Sequence, residues 1–172
     1  MSALGRSMSE QAHDSQPIIR RRISDDMADC VEVLRAVHLR DSYPVNWPVD
    51  AKSWLEELEA AWVAEIDGHV VGHVAARITE GDPSEVTVER LFVAPSANGL
   101  GLGAQLLAVA SAYGDASIAV LAVADNGRHA QRLYRHQGWS LRSRTPIDWG
   151  GAAASSLLWY ELRRTPADPL PR

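Results

Sequence analysis

Apolar and polar positions along the chain follow two periods, one of about 3.6 residues and one of two. A helix is predicted over residues 26–38, where four residues recur at the helical spacing, namely Met27, Val31, Leu34 and His38. Runs rich in β-branched residues separate the helical segments. Strands are expected at residues 18–23, at 61–78 in two runs, at 85–93, 117–124, 139–144 and 155–162, and the other helices at 51–60, 103–113 and 126–137. The order β-α-α-β-β-β-α-β-α-β-β predicts one α/β domain with a β-α-β unit in its middle.

Several Gly, Pro and Asp residues indicate where these elements end. Residues 41–50, DSYPVNWPVD, contain two prolines and are predicted to form a loop, after which Asp50 can cap the next helix. Asp67-Gly68 joins two β-rich runs and is typical of a type I′ hairpin turn. Gly114 is expected to end a helix as its left-handed C′ residue.

The length of 172 residues, with 46% apolar and 23% charged residues, is typical of one soluble globular domain. No apolar run approaches the roughly eighteen residues of a membrane span, so no membrane association is expected. We predict a flexible leader over residues 1–16, the domain over 17–164 and a flexible tail over 165–172. The single Cys30 excludes an intramolecular disulfide and favours the cytoplasm.

The net charge of −5 is unevenly distributed along the chain. Residues 25–90 carry fifteen acidic and five basic side chains, whereas residues 125–172 carry four acidic and eight basic ones. An acidic first half and a basic last segment do not indicate nucleic-acid binding, which requires a continuous basic face. The distribution suits an enzyme with a cationic substrate on one side and an anionic one on the other, and it equally suits an uneven solvated surface.

Residues 92–107, FVAPSANGLGLGAQLL, read as the end of a strand, a glycine-rich turn and the start of a helix. Backbone N–H groups at a helix N-terminus bind pyrophosphate. Gly99, Gly101 and Gly103 would let these groups approach the phosphate oxygens without a Cβ in the way. The turn is therefore a candidate site for a ligand that carries a pyrophosphate.

A nicotinamide dinucleotide is one such ligand, because Gly99 to Ala104 satisfies G-x-G-x-x-A and Asp125 follows 21 residues after Ala104. Three observations disfavour it. Residues 94–98 separate the strand from the first glycine, which in a dinucleotide fold follows almost at once. Only 68 residues remain after Ala104 (172 − 104), too few for the rest of a doubly wound sheet and a substrate domain. The upstream strands also form a hairpin.

Two motifs resemble those of the GCN5-related N-acetyltransferases, which bind acetyl-CoA. Residues 91–103, LFVAPSANGLGLG, are similar to the family's strand, Pro and Arg/Gln-x-x-Gly-x-Gly/Ala turn, with Asn98 where the family usually has Arg or Gln. Residues 121–139, LAVADNGRHAQRLYRHQGW, are similar to its second signature, with Asn126 one residue early. The resemblance covers residues 18–162.

The resemblance implies a mixed, mostly antiparallel sheet of about seven strands flanked by about four helices. It implies that Tyr134 protonates the CoA sulfur as a general acid, and that splayed central strands free the backbone of residues 91–93 for the pantetheine arm. Asn126 corresponds to a side chain that meets this arm, and it is also a candidate helix N-cap. The expected acetyl-CoA-binding residues are Leu91, Phe92, Val93, Asn98, Gly99, Gly101, Gly103, Ala104 and Asn126.

Acetyl transfer to an amine also needs a base and a wall for the acceptor. Glu89 is the first candidate base, because it lies on the strand that leads to the glycine turn, and Asp82 and Glu85 are the second candidates. Tyr43 and Trp47 lie in the loop where the family often builds its acceptor wall, and they could equally close the core. Other tryptophans are expected in the core, namely Trp54, Trp62 and Trp159.

No metal site is predicted from the histidines. His69 and His73 are four apart on a strand, about 13 Å, and His129 and His136 are seven apart on a helix, about 10 Å. Neither pair can chelate one ion.

The sequence thus predicts an acetyl-CoA-dependent N-acetyltransferase that acts on a primary amine, by direct attack without an acetyl-enzyme. A small-molecule amine is the expected acceptor because the acceptor half of the chain is acidic. Protein N-termini or lysines are the nearest alternative, and a catalytically weak acyl-CoA-binding regulatory module is another. The family's members are often dimers, so a homodimer is an expectation from the resemblance.

Overall fold

A computed structural model describes residues 15–165, which form seven strands and four helices in the predicted order. The strands are β1 Ile18–Arg21, β2 Ala60–Ile66, β3 His69–Thr79, β4 Asp82–Val93, β5 Ile118–Ala124, β6 Ser140–Pro146 and β7 Ser156–Arg163, and the helices are α1 Met27–Asp41, α2 Ala51–Glu56, α3 Leu102–Ser111 and α4 Arg128–His136. Most of the predicted leader and tail lies outside the described residues. Among these residues, no helix is long and apolar enough to cross a lipid bilayer.

The seven strands form one sheet in the order β1-β2-β3-β4-β5-β7-β6. Within residues 15–165, β4 and β5 are the one parallel pair, and every other neighbouring pair is antiparallel. Helix α3 connects the parallel pair as the crossover of the β-α-β unit. The predicted fold class, a mixed and mostly antiparallel sheet with four helices, is confirmed.

Local sequence signals account for several of the turns. Asp67 and Gly68 have φ angles of 52° and 79°, as a type I′ hairpin turn requires. The side chain of Asp50 accepts a hydrogen bond from the backbone N–H of Ser53 at 3.1 Å, so the predicted cap of α2 is confirmed. Gly114 has a φ of 65° but lies two residues beyond the C-cap of α3.

The sheet carries an apolar cluster on each face, as the alternation of side chains along its strands dictates. On β2, Trp62 and Ala64 face the cluster that includes α3, whereas Val63 faces the cluster formed with α1 and α2. Trp62 is therefore a core residue, as predicted. The two helical layers fix the central strands from both sides.

The parallel pair at the centre of the sheet is short. β4 pairs with β5 only from Glu85 to Thr87, opposite Ile118 to Val120. Beyond Thr87, β4 continues along β3 to Val93, and β5 continues along β7 to Ala124. The two strands therefore separate, and the splay implied by the family resemblance is present.

Candidate functional site

The glycine-rich turn leads directly into α3. Gly99 and Gly101 have φ angles of 80° and 73°, and a Cβ built on either would meet no heavy atom within 4 Å. No described residue accepts a hydrogen bond from the backbone N–H groups of residues 99–104. These free donors lie at the positive end of the helix dipole, so the turn fits the pyrophosphate of acetyl-CoA.

Other predicted residues of this turn have different surroundings. A Cβ on Gly103 would lie 3.1 Å from Leu133, so this glycine also allows α3 to pack closely on α4. Asn98 is exposed, and its backbone N–H donates to the carbonyl of Pro95 at 3.4 Å. Its side chain makes no hydrogen bond to any residue in the described range.

The end of β4 forms one wall of the gap between the splayed strands. Leu91 and Val93 are half-buried against the α3 side, while Phe92 is buried against the α1 side. On the β5 side, the backbone of residues 88–93 has no strand partner within the described chain. An extended ligand such as the pantetheine arm could pair with this edge as an added strand.

A bulge interrupts β4 within this edge, and His73 supports it. Arg90 has a φ of 50° at the bulge, and its carbonyl oxygen accepts a hydrogen bond from Nδ1 of His73 at 2.8 Å. His73 Nε2 accepts a hydrogen bond from Nη1 of Arg22 at 2.9 Å, and the imidazole stacks on Phe92. Burial lowers the pKa of His73 to about 4. The sequence signal for this role is a histidine between the small and apolar residues of a predicted strand.

A cavity of about 530 Å³ opens where β4 and β5 separate. Residues of β3, β4, β5, β6, β7 and the segment containing α2 form its walls. Its lining residues are Tyr43, Trp54, Arg77, Thr79, Glu85, Thr87, Val88, Glu89, Arg90, Val120, Ala122, Arg142, Ser143 and Trp159. The cavity is a candidate acceptor site because it adjoins the exposed edge of β4.

Two of the three candidate bases line this cavity. Glu89 accepts hydrogen bonds from Arg77 Nε at 3.1 Å and from Arg90 Nη1 at 2.9 Å. Glu85 is buried and accepts from Arg142 at 2.6 Å. Asp82 instead accepts from Ser84 at the start of β4, and it is exposed outside the cavity. Of the two in the cavity, Glu89 lies beyond the last parallel pairing and so nearer the gap.

The aromatic residues are arranged differently from the sequence-based expectation. Tyr43 lines the cavity, but Trp47 packs against His38 and Arg35 and does not line it. Trp54 and Trp159 were both predicted to lie in the core, and both line the cavity as half-buried residues. Trp54 also packs against the apolar cluster formed with α1, whereas Trp159 belongs to neither cluster, so the prediction is wrong for Trp159. A helical or strand period shows that a tryptophan faces inward, but it cannot separate a core from a cavity wall.

Tyr134 lies on α4, buried against Trp139 and Tyr160, with ring centroids 6.3 and 5.6 Å away. Burial raises the pKa of its phenol well above the usual range, and the nearby hydroxyl of Tyr43 raises it further. Tyr134 does not line the cavity, but its neighbour Tyr43 does. The phenol therefore keeps its proton at neutral pH.

Asn126 and Cys30 complete the set of candidate residues. Asn126 is exposed and does not cap α4, whose N-cap is Gly127, so the helix-cap alternative for Asn126 is wrong. Cys30 is buried on α1, and burial raises the pKa of its thiol to about 12. Such a thiol is a poor nucleophile.

Known proteins give an independent comparison. The sequence model of the Acetyltransferase (GNAT) family matches residues 26–139. Among curated proteins, no sequence matches the chain.

Solved structures share the fold. An N-acetyltransferase from Staphylococcus aureus superposes with a TM-score of 0.72 at 18% identity, covering 87% of this chain and 99% of its own. An acetyltransferase from Salmonella typhimurium, solved with its cofactor acetyl-CoA, superposes with a TM-score of 0.64 at 20% identity, covering 89% of this chain and 96% of its own. A ribosomal-protein-alanine N-acetyltransferase from Brucella melitensis superposes with a TM-score of 0.65 at 22% identity, covering 85% of this chain and 99% of its own.

The family match over residues 26–139 includes both the glycine turn and the α4 motif, and the solved structures share the overall fold. The chain belongs to the GNAT acetyltransferase family, whose members are N-acetyltransferases that use acetyl-CoA.

Proposed function

We propose that the protein transfers the acetyl group of acetyl-CoA to a primary amine of a small molecule. The observation that carries the proposal is the position of Glu89, which lines the cavity close to where β4 leaves β5. A carboxylate at that point lies between an acceptor in the cavity and a donor on the edge of β4. Direct transfer between the two requires no covalent acetyl-enzyme.

The donor side is held by backbone groups. The N–H groups of residues 99–104 bind the pyrophosphate, and residues 91–93 pair with the pantetheine arm. Asn126 is exposed just after the end of β5, and its side chain contacts the same arm. Bound acetyl-CoA supplies the acetyl group as a thioester.

Glu89 acts as the base on the acceptor side. A primary amine has a pKa of about 10.4 and is mostly protonated at neutral pH, so it must lose a proton before or during attack. Glu89 takes this proton directly or through one water molecule. Arg77 and Arg90 each bind one of its two carboxylate oxygens and hold it in place. A base in this position typically contributes about 10²–10⁴-fold to the rate.

Tyr134 acts as the acid. As the amine nitrogen bonds to the acetyl carbon and the carbon–sulfur bond breaks, the sulfur takes a proton from the phenol of Tyr134. The phenolate then takes up the second proton, which the nitrogen releases as it becomes an amide, so the phenol is restored. The raised pKa of this buried phenol ensures that it carries that proton. Cys30 is excluded as an acetyl carrier because it is buried and its thiol has a pKa of about 12.

The cavity supports a small acceptor in preference to a protein. Its volume of about 530 Å³ falls within the roughly 300–1,000 Å³ range of small-molecule pockets. A protein lysine or N-terminus would have to enter as an extended chain, and charged side chains occupy much of the wall. Protein acceptors remain the second candidate for the same chemistry.

The test is the release of free thiol from acetyl-CoA, measured with a panel of small amines and with peptides that carry a free N-terminus or a lysine. We expect release with small amines, and its loss in Glu89→Gln. Acetylation confined to the peptides would overturn the small-molecule acceptor. Binding of acetyl-CoA without release by any amine would instead support the regulatory module.

A further inference from the structure

The acceptor cavity is lined by three arginines as well as two glutamates. The arginines are Arg77, Arg90 and Arg142. The acidic composition of residues 25–90 favours a purely cationic amine, but the folded chain brings basic side chains to the same wall. A second cation on the acceptor would face these guanidinium groups and be repelled.

Arg77 is the arginine best placed to bind a group on the acceptor. It lies on β3 opposite Thr87 of β4, so the two side chains point to the same face of the sheet as Glu85 and Glu89. Its Nε donates to Glu89 at 3.1 Å, and 43% of its side chain is exposed. Neither of its terminal nitrogens donates to any residue in the range 15–165.

The other two arginines are less well placed, Arg90 because it is more buried and Arg142 because it is bound to a different carboxylate. Arg90 donates from Nη1 to Glu89, lies 4.1 Å above the ring of Trp54 and is only 18% exposed. Arg142 is bound to Glu85, which lies four residues from Glu89 and so about 13 Å further along β4. Of the two arginines that contact the proposed base, Arg77 is therefore the more exposed, at 43% against 18% for Arg90, whose Nε is buried without a partner among the described residues.

We propose, on the basis of the proposed function, that the acceptor is an α-amino acid whose amine lies at Glu89 and whose carboxylate is bound by Arg77. In an α-amino acid the two charged groups are separated by a single carbon. Glu89 and Arg77 present the two complementary charges side by side, 3.1 Å apart. The terminal nitrogens of a guanidinium match a carboxylate with two parallel hydrogen bonds, which adds specificity to the attraction.

The experiment compares each of the twenty proteinogenic amino acids with its C-terminal amide, and adds putrescine and spermidine, in the thiol-release assay. We expect at least one amino acid to be acetylated with a kcat/KM roughly tenfold or more above that of its amide, because a charge-assisted hydrogen bond is lost in the amide. Equal turnover of acids and amides, or preference for the polyamines, would overturn this inference and leave the proposed function intact. No turnover of any amine in the panel would overturn both.

Two variants assign the carboxylate site. Arg77→Gln should raise KM for the amino acid roughly tenfold more than it raises KM for the amide, while the lost support of Glu89 lowers kcat for both substrates alike. Arg77 also contacts Glu89, so a merely structural role would impair the acid and the amide equally, and that result would overturn the assignment. Arg144→Gln is the matched control, because Arg144 is an exposed arginine of β6 that does not line the cavity. It should leave both substrates unaffected.

Discussion

The imidazole of His73 donates from Nδ1 to the carbonyl oxygen of Arg90, 2.8 Å away, at the residue where β4 leaves its regular ladder. The guanidinium of Arg22 has no acceptor to offer, so the contact at Nε2 requires His73 to accept there. The proton of the neutral ring therefore lies on Nδ1. His73 thus links Arg22, which lies between β1 and α1, to the bulge in the donor-binding edge of β4.

This arrangement makes stability depend on pH. The pKa of His73 is about 4 in the folded protein and about 6.5 in an unfolded chain, so between these values the unfolded state binds one more proton. The free energy of unfolding should therefore be fully retained above pH 6.5 and fall as the pH drops towards 4. The loss attributable to His73 is roughly 3 kcal/mol at most. Denaturant unfolding at a series of pH values measures it.

Two substitutions separate titration from hydrogen bonding. His73→Asn keeps a donor for the carbonyl of Arg90 but cannot titrate, so its stability should vary less between pH 6.5 and 4 than that of the wild type. His69→Gln, at an exposed histidine of the same strand, should keep the wild-type slope. Equal slopes in all three proteins would show that the burial of His73 does not control the pH dependence.

The order of elements and the glycine turn could be predicted because both depend on local signals. Asp67 and Gly68 have the positive φ angles that a tight turn between two strands requires. Gly99 and Gly101 leave open space at the start of a helix. Helix ends were predicted less well. The helix predicted over 126–137 begins at Arg128, since the segment before it bonds to other loops through Asp125 and Ser155.

The acceptor cavity could not be predicted because its walls come from distant parts of the chain. Arg77 and Glu89 are 12 positions apart and Glu85 and Arg142 are 57 apart, and only the strand order brings each pair together. The acidic composition of the first half suggested a cationic acceptor, but composition does not reveal which face a side chain occupies. Trp54 and Trp159 were assigned to the core for the same reason.

Tyr134→Phe removes the proposed proton donor and little else. The ring still packs against Trp139 and Tyr160, and the phenol makes no hydrogen bond to a described residue that the change would break. We expect kcat to fall by roughly 10²–10⁴-fold, with the dissociation constant of acetyl-CoA nearly unchanged. Steady-state kinetics and calorimetric titration measure the two quantities. An unchanged kcat would support a role for Tyr134 in packing alone.

Glu89→Gln removes the proposed base but keeps an oxygen that can accept a hydrogen bond from Arg77 or Arg90. Acetyl transfer at pH 7 should fall by roughly 10²-fold or more, because the amine then loses its proton without help. The matched control is Asp82→Asn, at an exposed carboxylate near the start of the same strand. It should change the rate by no more than about twofold, as is usual for a surface site. A similar loss in both variants would argue against Glu89 as the base.

The glycine turn offers a test in which strain and ligand contact can be separated. Gly99 and Gly81 both have a φ of +80°, and in both a Cβ would meet nothing within 4 Å, but Gly81 lies in the turn between β3 and β4. Alanine at either position should cost about 1–2 kcal/mol, because the backbone strain is the same. Wild type and Gly81→Ala should still be stabilised by about 2.7 kcal/mol at acetyl-CoA a hundredfold above its dissociation constant. Gly99→Ala should show a smaller gain, since its Cβ would stand between the backbone N–H groups and the pyrophosphate. Thermal unfolding with acetyl-CoA, CoA, NAD and NADP measures all of these effects. Stabilisation by NAD or NADP alone would show that the turn binds a nicotinamide dinucleotide and not acetyl-CoA.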